Sequence, residues 1–294
     1  MNDQASALRR MVKENKGKDN LKTAQSNTRI MSIASGKGGV GKTNITVNLG
    51  LALQKSDNRV LLLDGDLGMA NIDILLGLTS TYTLQHVMNG RCRLEDAILE
   101  GPHNINVLPG ISGGDAFVNI NKQEVKRLLK ASSHLEDNYD IILIDIGAGA
   151  NQGVMNFTLA ADEALIVLTP EPTSIMDAYS FIKILANSNF KGDLGLIINQ
   201  VSSSREGKDV VNRMKSVISE YLDLEIKFNS FIPYDSQVVQ AVKKQQSLLE
   251  LFPDSEAAKA FRAAADKLLD REPETPPRGM KGFIYRVVGM FKKG

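Results

Sequence analysis

Short, almost wholly apolar runs recur along the chain at residues 30–34, 59–64, 140–145, 164–169 and 194–199. A strand with one wet face alternates apolar and polar residues. Runs this uniform suit strands covered on both faces, as in a parallel sheet. Between them lie longer stretches, 44–55, 123–135, 174–186 and 207–221, whose apolar residues recur along one side of a helix. The βαβα order predicts an α/β fold, with a mostly parallel central sheet and helices on both faces.

With 294 residues, 43% of them hydrophobic, the chain can bury a full core and is expected to form one large domain plus appendages. A net charge of +1 gives no global attraction to nucleic acid, so no specific nucleic-acid partner is expected. The single cysteine, Cys92, excludes an internal disulfide and a multi-cysteine zinc or iron-sulfur site, and suits a reducing compartment. No apolar stretch reaches the length of a membrane span and the N-terminus is too polar for a signal peptide, so a cytoplasmic location is expected.

Chemistry first appears after the first strand, in Gly36-Lys37-Gly38-Gly39-Val40-Gly41-Lys42-Thr43. Glycines there let successive N–H groups converge on a phosphate chain at a helix N-terminus. Lys42 would neutralise the β- and γ-phosphates of a nucleotide, and Thr43 would offer its hydroxyl to Mg²⁺. Lys37 is too far displaced to duplicate Lys42 and is free to reach outward, unless it is simply solvated. Two predicted strands end in aspartates, Asp64 and Asp145, where ligands of such sheets bind. Asp145 precedes Ile146-Gly147-Ala148-Gly149, as expected of a Mg²⁺-holding aspartate followed by a γ-phosphate switch. Asp64 opens the segment Asp64-Gly65-Asp66 and is also expected at the metal, whereas Asp73 reads as a helix-capping residue.

Together the loop with Lys37, the Asp64-x-Asp66-x-Gly68 segment, the Asp145 switch and the Thr169-Pro170-Glu171-Pro172 turn resemble the deviant Walker A ATPases of the MinD and ParA group, which are P-loop NTPases of the SIMIBI type. The resemblance spans roughly residues 29 to 269. It implies a homodimer that sandwiches ATP. Lys37 would cross to the partner's phosphates, Glu171 would lie at the dimer face, and Asp66 would orient the attacking water. A cation supplied by a second subunit would make hydrolysis depend on dimerisation. Adenine is favoured over guanine because the strand ends Asn199-Gln200-Val201-Ser202, without the acid that a guanine site uses. Asn199 could bond the adenine edge, and Pro233, Tyr234 and Asp235 resemble the segment whose backbone contacts the base; alternatively these residues only shape turns.

The ends of the chain read as appendages. Residues 1–28 form an arm and linker, 29–270 the ATPase domain, 271–279 a Pro-rich linker, and 280–294 an amphipathic helix. In that last segment Phe283, Ile284, Val287, Val288, Met290 and Phe291 make an apolar stripe bordered by Lys281, Arg286, Lys292 and Lys293, with no acid. This suits a helix lying in an anionic bilayer surface, although docking on its own domain is the competing reading. At the N-terminus, Asp3-Gln4-Ala5-x-x-Leu8-Arg9 ahead of a MinD-like ATPase resembles the flagellar number regulators of the FlhG (FleN, YlxH) group. That resemblance implies stimulation of the flagellar signal-recognition-type GTPase FlhF, with Gln4 nearest its active site, and contact with components of the flagellar switch ring (C-ring). A division-site or partition ATPase is the alternative.

Overall fold

In the computed structural model the described residues are 27–66, 71–110, 120–222, 224–274 and 276–291. In chain order the elements are β1 (Arg29–Ser35), α1 (Lys42–Gln54), β2 (Val60–Gly65), α2 (Ile72–Leu75), α3 (Leu84–Asn89), α4 (Leu94–Ala97), β3 (Leu99–Glu100), β4 (Asn106–Leu108), α5 (Lys122–Asn138) and β5 (Ile141–Ala148). They continue with α6 (Gln152–Ala160), β6 (Glu163–Leu168), α7 (Pro172–Asn187), β7 (Asp193–Val201), α8 (Ser204–Tyr221), β8 (Ile226–Pro233), α9 (Ser236–Lys243), α10 (Leu248–Leu251), α11 (Glu256–Leu269) and α12 (Gly279–Phe291).

One sheet runs β3-β4-β2-β5-β1-β6-β7-β8, parallel throughout except for the short β3–β4 pair. Each predicted apolar run is a strand of this sheet. Alternate residues of one strand enter opposite cores: Ile30 and Ala34 pack under α3, α5, α6, α7, α8 and α12, while Met31 and Ile33 pack under α1, α2, α10 and α11. That double burial is why the strands show no polar alternation. The connection after β1 winds toward β2 and that after β6 winds the opposite way toward β7. A crevice therefore opens at the carboxyl ends of the central strands.

The C-terminal segment takes the docked arrangement. Helix α12 lies in the helical layer between α5 and α6, touching β1 as well. Met280, Phe283, Ile284, Val287, Val288 and Phe291 are all buried, and the Phe283 ring meets that of Phe157 at 5.8 Å. The stripe expected to face lipid thus faces Leu63, Leu84, Leu128, Leu135 and Phe157. Arg286, expected on the outer basic border, turns inward and donates to the carbonyl of Ala160 and to Asp162. Lys292 and Lys293, like Asp3, Gln4, Ala5, Leu8 and Arg9 of the arm, lie outside the described residues. Among the described residues no helix is long and apolar enough to cross a membrane.

Candidate functional site: a phosphate loop facing two switch strands

The loop from Gly36 to Thr43 joins β1 to α1 at the carboxyl end of the sheet, and its shape needs glycine at defined points. Gly41, at the N-cap of α1, has φ +94°, and a Cβ there would stand 2.5 Å from Nδ2 of Asn199. A Cβ on Gly36 would meet the carbonyl oxygen of Asp177 at 2.2 Å, because the loop passes tightly beside α7. The amides of the loop and the first turn of α1 are thereby aimed into the crevice.

Three groups converge behind the loop. The Thr43 hydroxyl donates to Oδ2 of Asp145 at 2.7 Å, and the Thr46 hydroxyl stands 3.2 Å from Oδ1 of the same carboxylate. Lys42 lies in the field of Asp145 and Asp66; burial is the larger influence on it and pulls its pKa below the usual lysine range. Burial also pushes Asp145 up to about 7, with the Asp64 charge adding and the bonds from Thr43 and Thr46 and the Lys42 charge opposing. A divalent cation would relieve this strain. The hydroxyl and carboxylate oxygens of Thr43 and Asp145 are hard donors of the kind Mg²⁺ takes alongside water and phosphate, so the residues fit Mg-nucleotide. Asp66 stands over the switch strand, where a Cβ on Gly147 would lie 3.2 Å from its Oδ1. The switch is itself tied to the loop, since the Gly149 amide donates to the Ser35 carbonyl and the Ser35 hydroxyl to the Lys37 carbonyl.

Asp64, expected at the metal, is also bonded to the backbone of its own loop. Its Oδ1 accepts from the Asp66 amide at 3.1 Å, and its Oδ2 accepts from the amides of Asn71 and Ile72 at 2.8 and 3.2 Å. The carboxylate holds the β2–α2 loop closed and its charge also acts on Asp145. Asn199 is also partly committed, since its Nδ2 donates to the Val40 carbonyl at 2.8 Å and braces the phosphate loop. Its Oδ1 is the atom left to accept from an adenine amine. Pro233 ends β8, Tyr234 is exposed, and the Asp235 side chain caps α9 through the Gln237 amide, which leaves the backbone of this turn as the part able to meet a base.

Lys37 takes a different direction from Lys42. It extends along the outer side of the loop, 3.2 Å from Oε2 of Glu171 and 3.1 Å from the hydroxyl of Thr173. The sequence reading named Lys37 and Glu171 but passed over Thr173 and Thr46. Thr46 was findable, because it follows Thr43 by three positions and so shares its face of α1.

A family model described as an AAA domain matches residues 28–194. The antiactivator FleN of Pseudomonas aeruginosa is 40% identical over 260 residues, covering 88% of this chain and 93% of FleN. The chain is a MinD/ParA-type ATPase. Within that family it stands close to the flagellar FlhG group. The flagellum site-determining protein YlxH of Helicobacter pylori is 31% identical, with 98% of this chain and 99% of YlxH covered. The septum site-determining protein MinD of Pyrococcus horikoshii, solved with Mg-ADP, superposes with a TM-score of 0.66 at 30% identity over 82% of this chain and 96% of that one. Membership of a MinD/ParA-type ATPase family and the likeness to that Mg-ADP structure support binding of nucleotide with Mg²⁺.

Proposed function

We propose that this chain is an ATPase that dimerises around ATP, associates with the membrane, regulates flagellar number and placement, and stimulates the GTPase FlhF through its N-terminal arm. The observation that carries the dimer is the division of labour between two lysines. Lys42 is sunk beside Asp145, while Lys37 stands outside the cradle with its side chain 40% exposed and held by Glu171 and Thr173. A lysine so placed can exchange an exposed ion pair, worth little in water, for the phosphates of a facing copy. In the reaction Asp66 orients the attacking water, the Thr43 and Asp145 oxygens hold Mg²⁺, and the two lysines spread the charge of the transferring phosphoryl group. Mg²⁺ held there would neutralise charge on the phosphates.

The flagellar part rests on likeness to FleN and YlxH and on the Gln4-containing arm. The membrane part rests on the acid-free amphipathic composition of residues 280–294 and requires α12 to leave its groove. Switch-ring contact remains part of the same reading without an assigned surface. A peptide of residues 1–26 should accelerate GTP hydrolysis by the flagellar GTPase, and a Gln4→Ala peptide should lose most of that effect. No acceleration by the native peptide would return the chain to the division-site class of regulator.

A further inference from the structure

The segment between α11 and α12 crosses the lower rim of the sheet, opposite the phosphate loop, and apart from a Glu274–Lys227 pair its described side-chain ties there are to acids at the start of β6 or β7. Arg271 pairs with Glu163 and Asp193, the Glu274 amide donates to Asp193, the Arg278 amide donates to Asp162 at 3.1 Å, and Arg286 reaches Asp162 from within α12. Asp162, Glu163 and Asp193 are all nearly fully buried. Buried acids demand partners, so this row fixes the path of the strap.

The acids differ in what would remain if α12 left. Glu163 would keep Arg29, 2.7 Å away. Asp162 would lose the Arg278 amide and Arg286 and, among the described residues, its side chain would keep only the Ile30 amide. We propose that Asp162 is the catch that seats α12, and that α6 links this catch to the nucleotide switch. Helix α6 begins directly after the switch residues 146–151. It lays Phe157 against Phe283, and ends at Ala160, whose carbonyl accepts Arg286, two residues before Asp162. A displacement at its switch end therefore acts on the apolar seat and the polar catch together. The catch matters because apolar contact alone is a poor arbiter: the side chains of α12 leave water equally well in the groove or in lipid. The Asp162–Arg286 and Asp162–Arg278 ties exist only in the seated arrangement.

The proposal concerns the seating of α12; the membrane reading enters only in what the freed helix meets. The test uses the full chain with Cys92→Ser and Val287→Cys, a position 1% exposed in the seated helix. Thiol labelling is followed without vesicles, and binding of a fluorescent ATP analogue serves as the check on folding. Arg286→Gln and, separately, Asp162→Asn should each speed labelling by about tenfold. Unchanged rates in both would overturn the catch. A hydrolysis-resistant ATP analogue with Mg²⁺ should speed labelling of the parent more than that of the Asp162→Asn protein; an equal fold-change in both would overturn the link through α6. If the freed Arg286→Gln protein then failed to sediment with anionic phosphatidylglycerol vesicles, the membrane reading would fail while the catch stood.

Discussion

Asp145 carries the sharpest electrostatic consequence. Its carboxyl is pushed up to about 7 by burial and by Asp64, well above the ordinary carboxylate range. The native chain therefore holds a proton that the unfolded chain releases, and stability present at about pH 4 is lost as pH rises to about 7. Asp145→Asn, melted without nucleotide or Mg²⁺, should be several degrees more stable than the parent at pH 8. The gap should close toward pH 4, and a gap independent of pH would contradict the assignment. The same variant should lose Mg²⁺-dependent hydrolysis. Gly41 gives a steric counterpart. Gly41→Ala places a methyl 2.5 Å from the Asn199 amide at a φ that side chains resist, so nucleotide affinity should fall by at least about tenfold with little change in melting temperature. Retained affinity, measured with a fluorescent ATP analogue, would show that the loop can rearrange.

Helix α12 belongs to the core on which it lies. Ending the chain at Pro277 uncovers Leu84, Leu128, Leu135 and Phe157 and strips Asp162 of its strap partners. The truncated protein should melt at least about 5 °C lower and bind a hydrophobic dye, as expected when several buried apolar side chains meet water. An unchanged melt without dye binding would mean that the groove is not part of the core. The central strands were readable from sequence because burial on both faces leaves an uninterrupted apolar run. Strand β8 was not, since Lys227, Asn229 and Ser230 interrupt it at the edge of the sheet, and β4 is only three residues long. The phosphate loop, Lys37 and Asp145 stood out in the sequence because local spacing marks them. The seat of α12 did not, because an apolar stripe looks the same whether it meets lipid or a groove, and Arg286 meets Asp162 across 124 positions of sequence. The bonds of Asp64 to its own loop were not legible either, because a strand-end aspartate reads alike whether or not it also accepts from local amides.

Taken as one machine, the fold places its two decisions at opposite rims of a parallel sheet. ATP is read at the carboxyl ends of the strands, and the C-terminal helix is fastened at their amino ends. In the proposed mechanism a second copy completes the nucleotide site with Lys37. The most direct test is the mass in solution by light scattering with a hydrolysis-resistant ATP analogue and Mg²⁺. The proposed mechanism predicts about twice the 32.1 kDa of one chain, and a single chain with ADP or in the Lys37→Ala protein. A parent protein that stays at the mass of one chain with the analogue, at every concentration tried, would contradict it.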